Sequence, residues 1–277
     1  MEVTLACIAE SFGRSALSQS EPTLEASQPP KLPFSAEYRA SANRRFQETI
    51  VFVHHFGGSR RTVLRHLKLV DQLGFDTVRF DLLFNSTKPK DALPITGDLR
   101  FGVRHVWADQ IESILNALPV RKILYSFSMP SGSALQAIAH RRARDVRALI
   151  CDGGPFLQMH KCIWNLYQHQ YKVENPLLRA SFTGASMLLW GMGYKEQMRR
   201  ALSRIPKGFQ VLSIRGWQDP LVPVSAIDEF FQLQSHLDVE VLSLTEAGHL
   251  NGLRDFHAEY APRVQDFLKR LGTPVSN

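Results

Sequence analysis

The chain alternates between short apolar runs and longer stretches whose apolar residues recur at helical spacing. Thr49–Val53, Phe75–Asp81, Ile123–Tyr125, Val146–Cys151, Phe209–Ile214 and Val239–Leu244 are short and mostly apolar, and read as strands. Between them lie a helix from Ser59 with Val63, Leu67 and Val70 on one face and Gly74 as its C-cap, and helices over Val103–Leu118, Ser131–Ala139, Ala226–Gln234 and Asp255–Leu271, the last stopped by Gly272. Strands that alternate with helices, and that are apolar without a polar face, predict a mostly parallel central sheet with helices on both faces, an α/β fold. Two stretches break the rhythm. Residues 1–48 read as an N-terminal arm with edge strands at Val3–Ile8 and Phe34–Ala40, joined by the Ser-, Glu- and Pro-rich stretch Ser18–Pro33. Residues 156–207 show no strand pattern and are rich in Met, Trp, Tyr and Leu. The expected organisation is therefore a core over 49–155 and 208–277, with a helical insertion over 156–207.

Composition narrows this picture little. The 277 residues are 44% hydrophobic and 21% charged, enough for one large core. The formal net charge is +7, but the basic residues are dispersed. The densest clusters, Arg141-Arg142-Ala143-Arg144 and Arg199-Arg200, read as solvated surface and not as a nucleic-acid site. Cys7, Cys151 and Cys162 have neither paired nor metal-like spacing, which suggests a reducing compartment. No apolar run approaches the length of a membrane span, and the acidic N-terminus lacks the basic-then-apolar pattern of a leader. The expectation is a soluble, cytoplasmic protein without stable membrane insertion.

Candidate chemistry lies at the predicted strand ends, where sites form in such sheets. The run Ile123–Tyr125 passes through Ser126-Phe127-Ser128-Met129-Pro130 directly into a helix. A serine on so sharp a turn needs small residues two positions before and after it. Ser126 and Pro130 supply them around Ser128, whereas Ser126 and Ser131 would each have a large residue, Leu124 or Met129, at such a position. Pro130 suits a first helical position, and the backbone N–H of Met129 would face an oxyanion. Asp219 follows the strand Phe209–Ile214, and His249 follows the last strand. Singly, a serine-rich turn, an aspartate before proline and a loop histidine are commonplace. In the order Ser, Asp, His, each after a strand, they are the parts of a nucleophile, an orienting acid and a base.

From Thr49 to Leu271 the chain resembles the α/β-hydrolase superfamily, of the kind with a helical cap after the sixth strand. The segment Gly216-x-x-Asp219-x-Leu221-Val222-Pro223 and the triplet Ala247-Gly248-His249 carry the resemblance, with the elbow at Ser128 departing from the usual glycines. The resemblance implies a serine hydrolase with the triad Ser128, Asp219 and His249. It places His54-His55-Phe56-Gly57-Gly58 at the family's His-Gly turn, with His55 where glycine is usual, and so assigns the oxyanion to the backbone N–H groups of Phe56 and Met129. Asp152 is a rival acid, because some members carry it after the sixth strand. The implied substrate is a carboxylic ester or thioester with an apolar acyl group, cleaved through an acyl-enzyme, with no metal and no cofactor. Acyl transfer or amide hydrolysis by the same residues remains open, as does a non-catalytic binding protein that keeps the pocket. Met159, Trp164, Leu166, Met187, Leu188, Leu189, Trp190 and Met192 are candidates to line an acyl pocket or to pack the cap on the core.

Overall fold

The computed structural model describes residues 30–83, 103–142, 145–190, 193–233 and 235–275, leaving aside the side chains of Leu189 and Trp190. The expected strand at Val3–Ile8, most of the Ser18–Pro33 stretch, the loop over 84–102, Cys7 and Met192 lie outside the described residues.

Among the described residues seven strands form one sheet: β1 (Glu37–Arg39), β2 (Thr49–Val53), β3 (Asp76–Arg79), β4 (Lys122–Phe127), β5 (Val146–Asp152), β6 (Gln210–Gly216) and β7 (Asp238–Leu244). Their spatial order is β1-β3-β2-β4-β5-β6-β7, and every pairing is parallel except that of the edge strand β1 with β3. Successive residues of a strand point to opposite faces, and here both faces are covered. Val51, Val53 and Leu124 enter one apolar core, packed by α2 (Val103–Ala117) and α3 (Pro130–His140). Ile50, Phe52, Ile123 and Tyr125 enter the other, packed by α1 (Leu64–Leu73) and the C-terminal α9 (His257–Leu271). Burial on both sides is the reason these strands are uninterrupted apolar runs.

The remaining helices are α4 (Met159–Asn165), which continues as a π-helical turn over Leu166–Gln170, then α5 (Pro176–Trp190) and α6 (Tyr194–Leu202), all between β5 and β6. They are followed by α7 (Val224–Phe231) and the single turn α8 (Gly252–Asp255). The inserted helices thus follow the fifth of the described strands. No helix among the described residues is long and apolar enough to cross a membrane.

Three boundaries differ from expectation. The first helix begins at Leu64 rather than Ser59, because Asp81 draws the Arg60 backbone N–H (2.6 Å) and guanidinium (2.7 Å) into a turn; it ends as expected, at Gly74 with φ +95°. The last helix is preceded by α8, from which it is separated at Phe256 (φ −124°, ψ 41°). The helix expected over Ala226–Gln234 spans Val224–Phe231. Residues 35–48 are fastened to the sheet: Asp76 accepts from the Tyr38 hydroxyl and the Ser41 N–H, Phe46 stacks on Phe75 at 4.2 Å, and buried Glu48 binds Thr273 and Arg147.

Strand order reverses at β2 and β4: the chain leaves β2 to one side for β3 and returns to the other for β4. Such a switch point opens a crevice beyond the carboxyl ends of the two strands. The loops there begin at His54 and at Ser128.

Candidate active site

Ser128 joins β4 to α3 with φ +55°, a left-handed conformation that costs a non-glycine residue about 1–3 kcal/mol and that surrounding structure must hold. It is held by its N–H donating to the Asp152 carbonyl (2.8 Å) and by its own carbonyl accepting from the Ser131 N–H (3.0 Å), the first turn of a helix that opens on Pro130. The neighbouring serines are used otherwise. The Ser126 hydroxyl donates to the Ile150 carbonyl of β5 (3.2 Å), and the Ser131 hydroxyl is fully buried in α3. Of the three, Ser128 is the one on the wall of a pocket of about 200 Å³.

His249 lies on the same wall. Its Nδ1 donates to Asp219 Oδ2 at 2.6 Å, and Asp219 Oδ1 accepts from the N–H groups of Leu221 (2.8 Å) and Val222 (2.9 Å). The carboxylate is thus fixed by its own turn before it meets the ring. The two loops can approach because Gly216 has no side chain: a Cβ there would lie 2.5 Å from the Ala247 carbonyl oxygen and 2.6 Å from that of Gly248. Hydrogen bonds from the Trp217 and Gln218 N–H groups to Leu244 and Ala247 complete the junction. With its proton on Nδ1, the ring offers Nε2 as a base.

Asp152, the rival acid, is engaged elsewhere. The Tyr260 hydroxyl of α9 donates to its Oδ2 at 2.6 Å and in turn accepts from Tyr125 of β4 (2.5 Å). Burial pushes the Asp152 carboxyl up to about 6, against the pull of the Tyr260 hydrogen bond and nearby His249. His66 of α1 completes this buried cluster, its ring edge-on to those of Tyr125, Phe127 and Tyr260. His66 Nε2 stands 3.9 Å from Asp152 Oδ2, too far for a hydrogen bond, and burial pushes the ring down to about 3. The contact is between neutral groups around pH 5, not an ion pair.

The loop after β2 forms the opposite rim. Leu82 N–H donates to His54 Nε2 (2.9 Å), so His54 carries its proton on Nδ1 and donates to the His55 carbonyl (2.7 Å). The His55 Nδ1 donates to the Phe56 carbonyl (2.9 Å), and burial, assisted by nearby His249, lowers its pKa and keeps it neutral. Both His55 and Phe56 line the pocket, as does Met129.

The structure therefore brings Ser128, Asp219, His249, Phe56 and Met129 to one place and sets Asp152 beside it. Of the candidate pocket residues, Met159 and Leu166 line the cavity. Trp164 instead receives the Arg179 guanidinium on its ring face at 4.9 Å, Met187 lines a separate cleft, and Leu188 faces solvent. Leu189, Trp190 and Met192 fall where side chains are not described. Sequence reasoning did not single out Phe156, Ile163, Leu250, or Leu221 and Val222 as pocket walls, although the last two sit in the acid motif itself. The cavity is thus apolar except at the Ser128–His249 end, His55 and Gln170, the usual character of a small-molecule site.

No family model and no curated protein matches the chain. Solved structures do. An esterase of Pyrococcus furiosus superposes with a TM-score of 0.61 at 19% identity, covering 86% of this chain and 91% of that one. A monoacylglycerol lipase of Paleococcus ferrophilus gives 0.57 at 17%, covering 86% and 98%. A hydrolase of Oleispira antarctica gives 0.58 at 13%, covering 84% and 94%. At these identities the likeness is one of fold alone: the chain has the α/β-hydrolase fold.

Proposed function

We propose that the protein is a serine hydrolase that cleaves a carboxylic ester or thioester with an apolar acyl group. The observation that carries this reading is the 2.6 Å bond between His249 Nδ1 and Asp219 Oδ2, at a ring that shares one apolar pocket with Ser128. Neighbours in fold that are named as an esterase and a monoacylglycerol lipase agree with it.

In this reading Ser128 Oγ attacks the acyl carbon while His249 Nε2 takes its proton. Asp219 stabilises the resulting imidazolium without taking the proton itself. The carbonyl oxygen becomes an oxyanion and is held by the backbone N–H groups of Phe56 and Met129, each worth roughly 3 kcal/mol in a water-poor site. The intermediate collapses, the C–O or C–S bond breaks, and His249 returns the proton to the leaving alcohol or thiol. Water then attacks the acyl-Ser128 ester by the same route and releases the acid. The acyl chain lies among Met159, Ile163, Leu166 and Leu221, so the inserted helices serve as a cap that excludes water. A fluorophosphonate probe tests this directly: it should label the parent, Ser126→Ala and Ser131→Ala but not Ser128→Ala. A parent that is folded and unlabelled would make the pocket a binding site only.

A further inference from the structure

Helix α5 is amphipathic in the wrong sense for a helix resting on a protein core. At about 100° per residue, Leu177, Leu178, Phe182 and Leu188 fall within an arc of roughly 140°. That arc faces solvent: Leu177 is 78% exposed, Leu188 58%, Leu178 47% and Phe182 40%. The opposite side carries Thr183 and Ser186, both buried, the latter bonded to the Tyr167 hydroxyl at 2.8 Å. Scattered exposed leucines are ordinary, but four large apolar side chains gathered on one outward arc of a helix, with Ser181 among them bonded back to the Leu177 carbonyl, mark a surface that meets something else.

Two observations select the occupant. First, residues 156–207 hold eight Lys and Arg against two Glu, a net +6 over the inserted segment as a whole, even though Arg199 and Arg200 pair with Glu196 and Lys195 with Glu229. A second copy docked face to face would oppose two such charges, whereas an anionic surface would attract them. Second, the face adjoins the pocket. Leu166 and Gln170 line the cavity, exposed Tyr171 follows Gln170 directly, and Tyr167 packs against both Tyr171 (5.6 Å) and Phe182 (5.4 Å). Exposed Lys172 comes next in the chain, followed two residues on by exposed Glu174 just before α5 begins.

We propose that the outward face of α5, edged by Tyr171 and Lys172, docks on an anionic lipid surface, lying in the headgroup layer without spanning the bilayer. An apolar face combined with basic charge is the combination that holds a helix at such an interface. The proposal does not rest on the chemistry of Ser128, so the two readings fail separately.

The experiment is vesicle flotation of the full chain carrying Ser128→Ala, with phosphatidylcholine alone or mixed equally with phosphatidylserine. The mixed vesicles should bind at least about tenfold more protein, and added salt should weaken the binding. Leu177→Ser combined with Leu188→Ser should lower partitioning at least about tenfold, since two leucines leave the lipid. Leu64→Ser, an exposed leucine of α1, should leave it unchanged. Equal binding to the two vesicle types, or binding indifferent to the Leu177 and Leu188 changes, overturns the proposal. So does a concentration-dependent dimer in sedimentation velocity that the double variant abolishes while vesicles go unbound.

Discussion

Gly154 lies so close to Ser128 that a Cβ on it would stand 2.4 Å from the Ser128 carbonyl oxygen and 2.9 Å from its carbonyl carbon. Both atoms are backbone, and the Ser128 N–H is already tied to Asp152 two residues before Gly154. The Asp152-Gly153-Gly154 turn is thus part of the mould that holds the serine at φ +55°.

Gly154→Ala should therefore destabilise the fold by about 1–3 kcal/mol, the usual penalty for forcing an extra carbon into a filled space. Ester turnover should fall further than the loss of folded protein explains, because about 1 Å of displacement at a reacting group can cost about 100-fold. Gly184→Ala, where a Cβ would meet nothing within 4 Å, should leave turnover unchanged. Thermal melts alongside turnover separate the two effects; an unchanged turnover in Gly154→Ala would show that the close approach does not position Ser128.

The two acids should behave unequally. Asp219→Asn leaves the His249 ring without the partner that fixes its tautomer, and kcat should fall by roughly 10⁴-fold. Asp152→Asn removes a carboxyl that bonds Tyr260 rather than His249, and kcat should stay within about tenfold of the parent. Steady-state ester kinetics on both variants decide the matter, and the reverse ranking would assign Asp152 as the acid.

The buried pair His66 and Asp152 makes a prediction about pH and stability. Asp152 is raised from 3.8 to about 6, so its contribution to stability is lost as pH rises through that window. His66 is lowered from 6.5 to about 3, so its contribution is lost as pH falls through that window. Between pH 4 and 6 the unfolded pair holds one proton, on the histidine, and the folded pair also holds one, on the carboxyl. The two slopes therefore cancel in the parent. They should reappear in single variants: Asp152→Asn should gain stability as pH rises from 4 to 6, by up to about 3 kcal/mol, and His66→Phe should lose a similar amount. Urea unfolding at three pH values in that range measures both. Parallel stability profiles for parent and variants would mean the two groups titrate normally in the fold.

What the sequence revealed was what is local. The apolar runs were legible because both faces of the sheet are buried. Ser128, Asp219 and His249 stand out as candidates because each sits in a short segment whose neighbours shape its turn, as Gly216 does for the acid loop. The His66, Tyr125, Tyr260 and Asp152 cluster was not, because α1, β4, α9 and β5 each contribute one residue and no local spacing announces it. The inserted helices misled for a different reason. Apolar periodicity points a helix toward the core, but α5 turns Leu177, Leu178 and Leu188 outward, so Leu188 neither lines the pocket nor packs on the core, whereas polar Gln170 lines the cavity.

Acyl preference should follow from the side chains that do reach the cavity. Ile163 of α4 and Leu166 of the π-helical turn line it, whereas Met187 of α5 lines a cleft elsewhere. Shortening Ile163 or Leu166 to Ala enlarges the apolar end of a small pocket without touching Asp219 or His249. One methylene of substrate fitted or misfitted in such a pocket changes kcat/KM by roughly 1–3 kcal/mol. Ile163→Ala and Leu166→Ala should therefore move the optimum of kcat/KM toward longer acyl esters. Met187→Ala should lower stability at most and keep the parent profile. The measurement is kcat/KM across p-nitrophenyl esters of increasing chain length. If the profile moves with Met187 and not with Ile163 or Leu166, the acyl chain lies in the other cleft, and the substrate enters from the α6 side of the inserted helices.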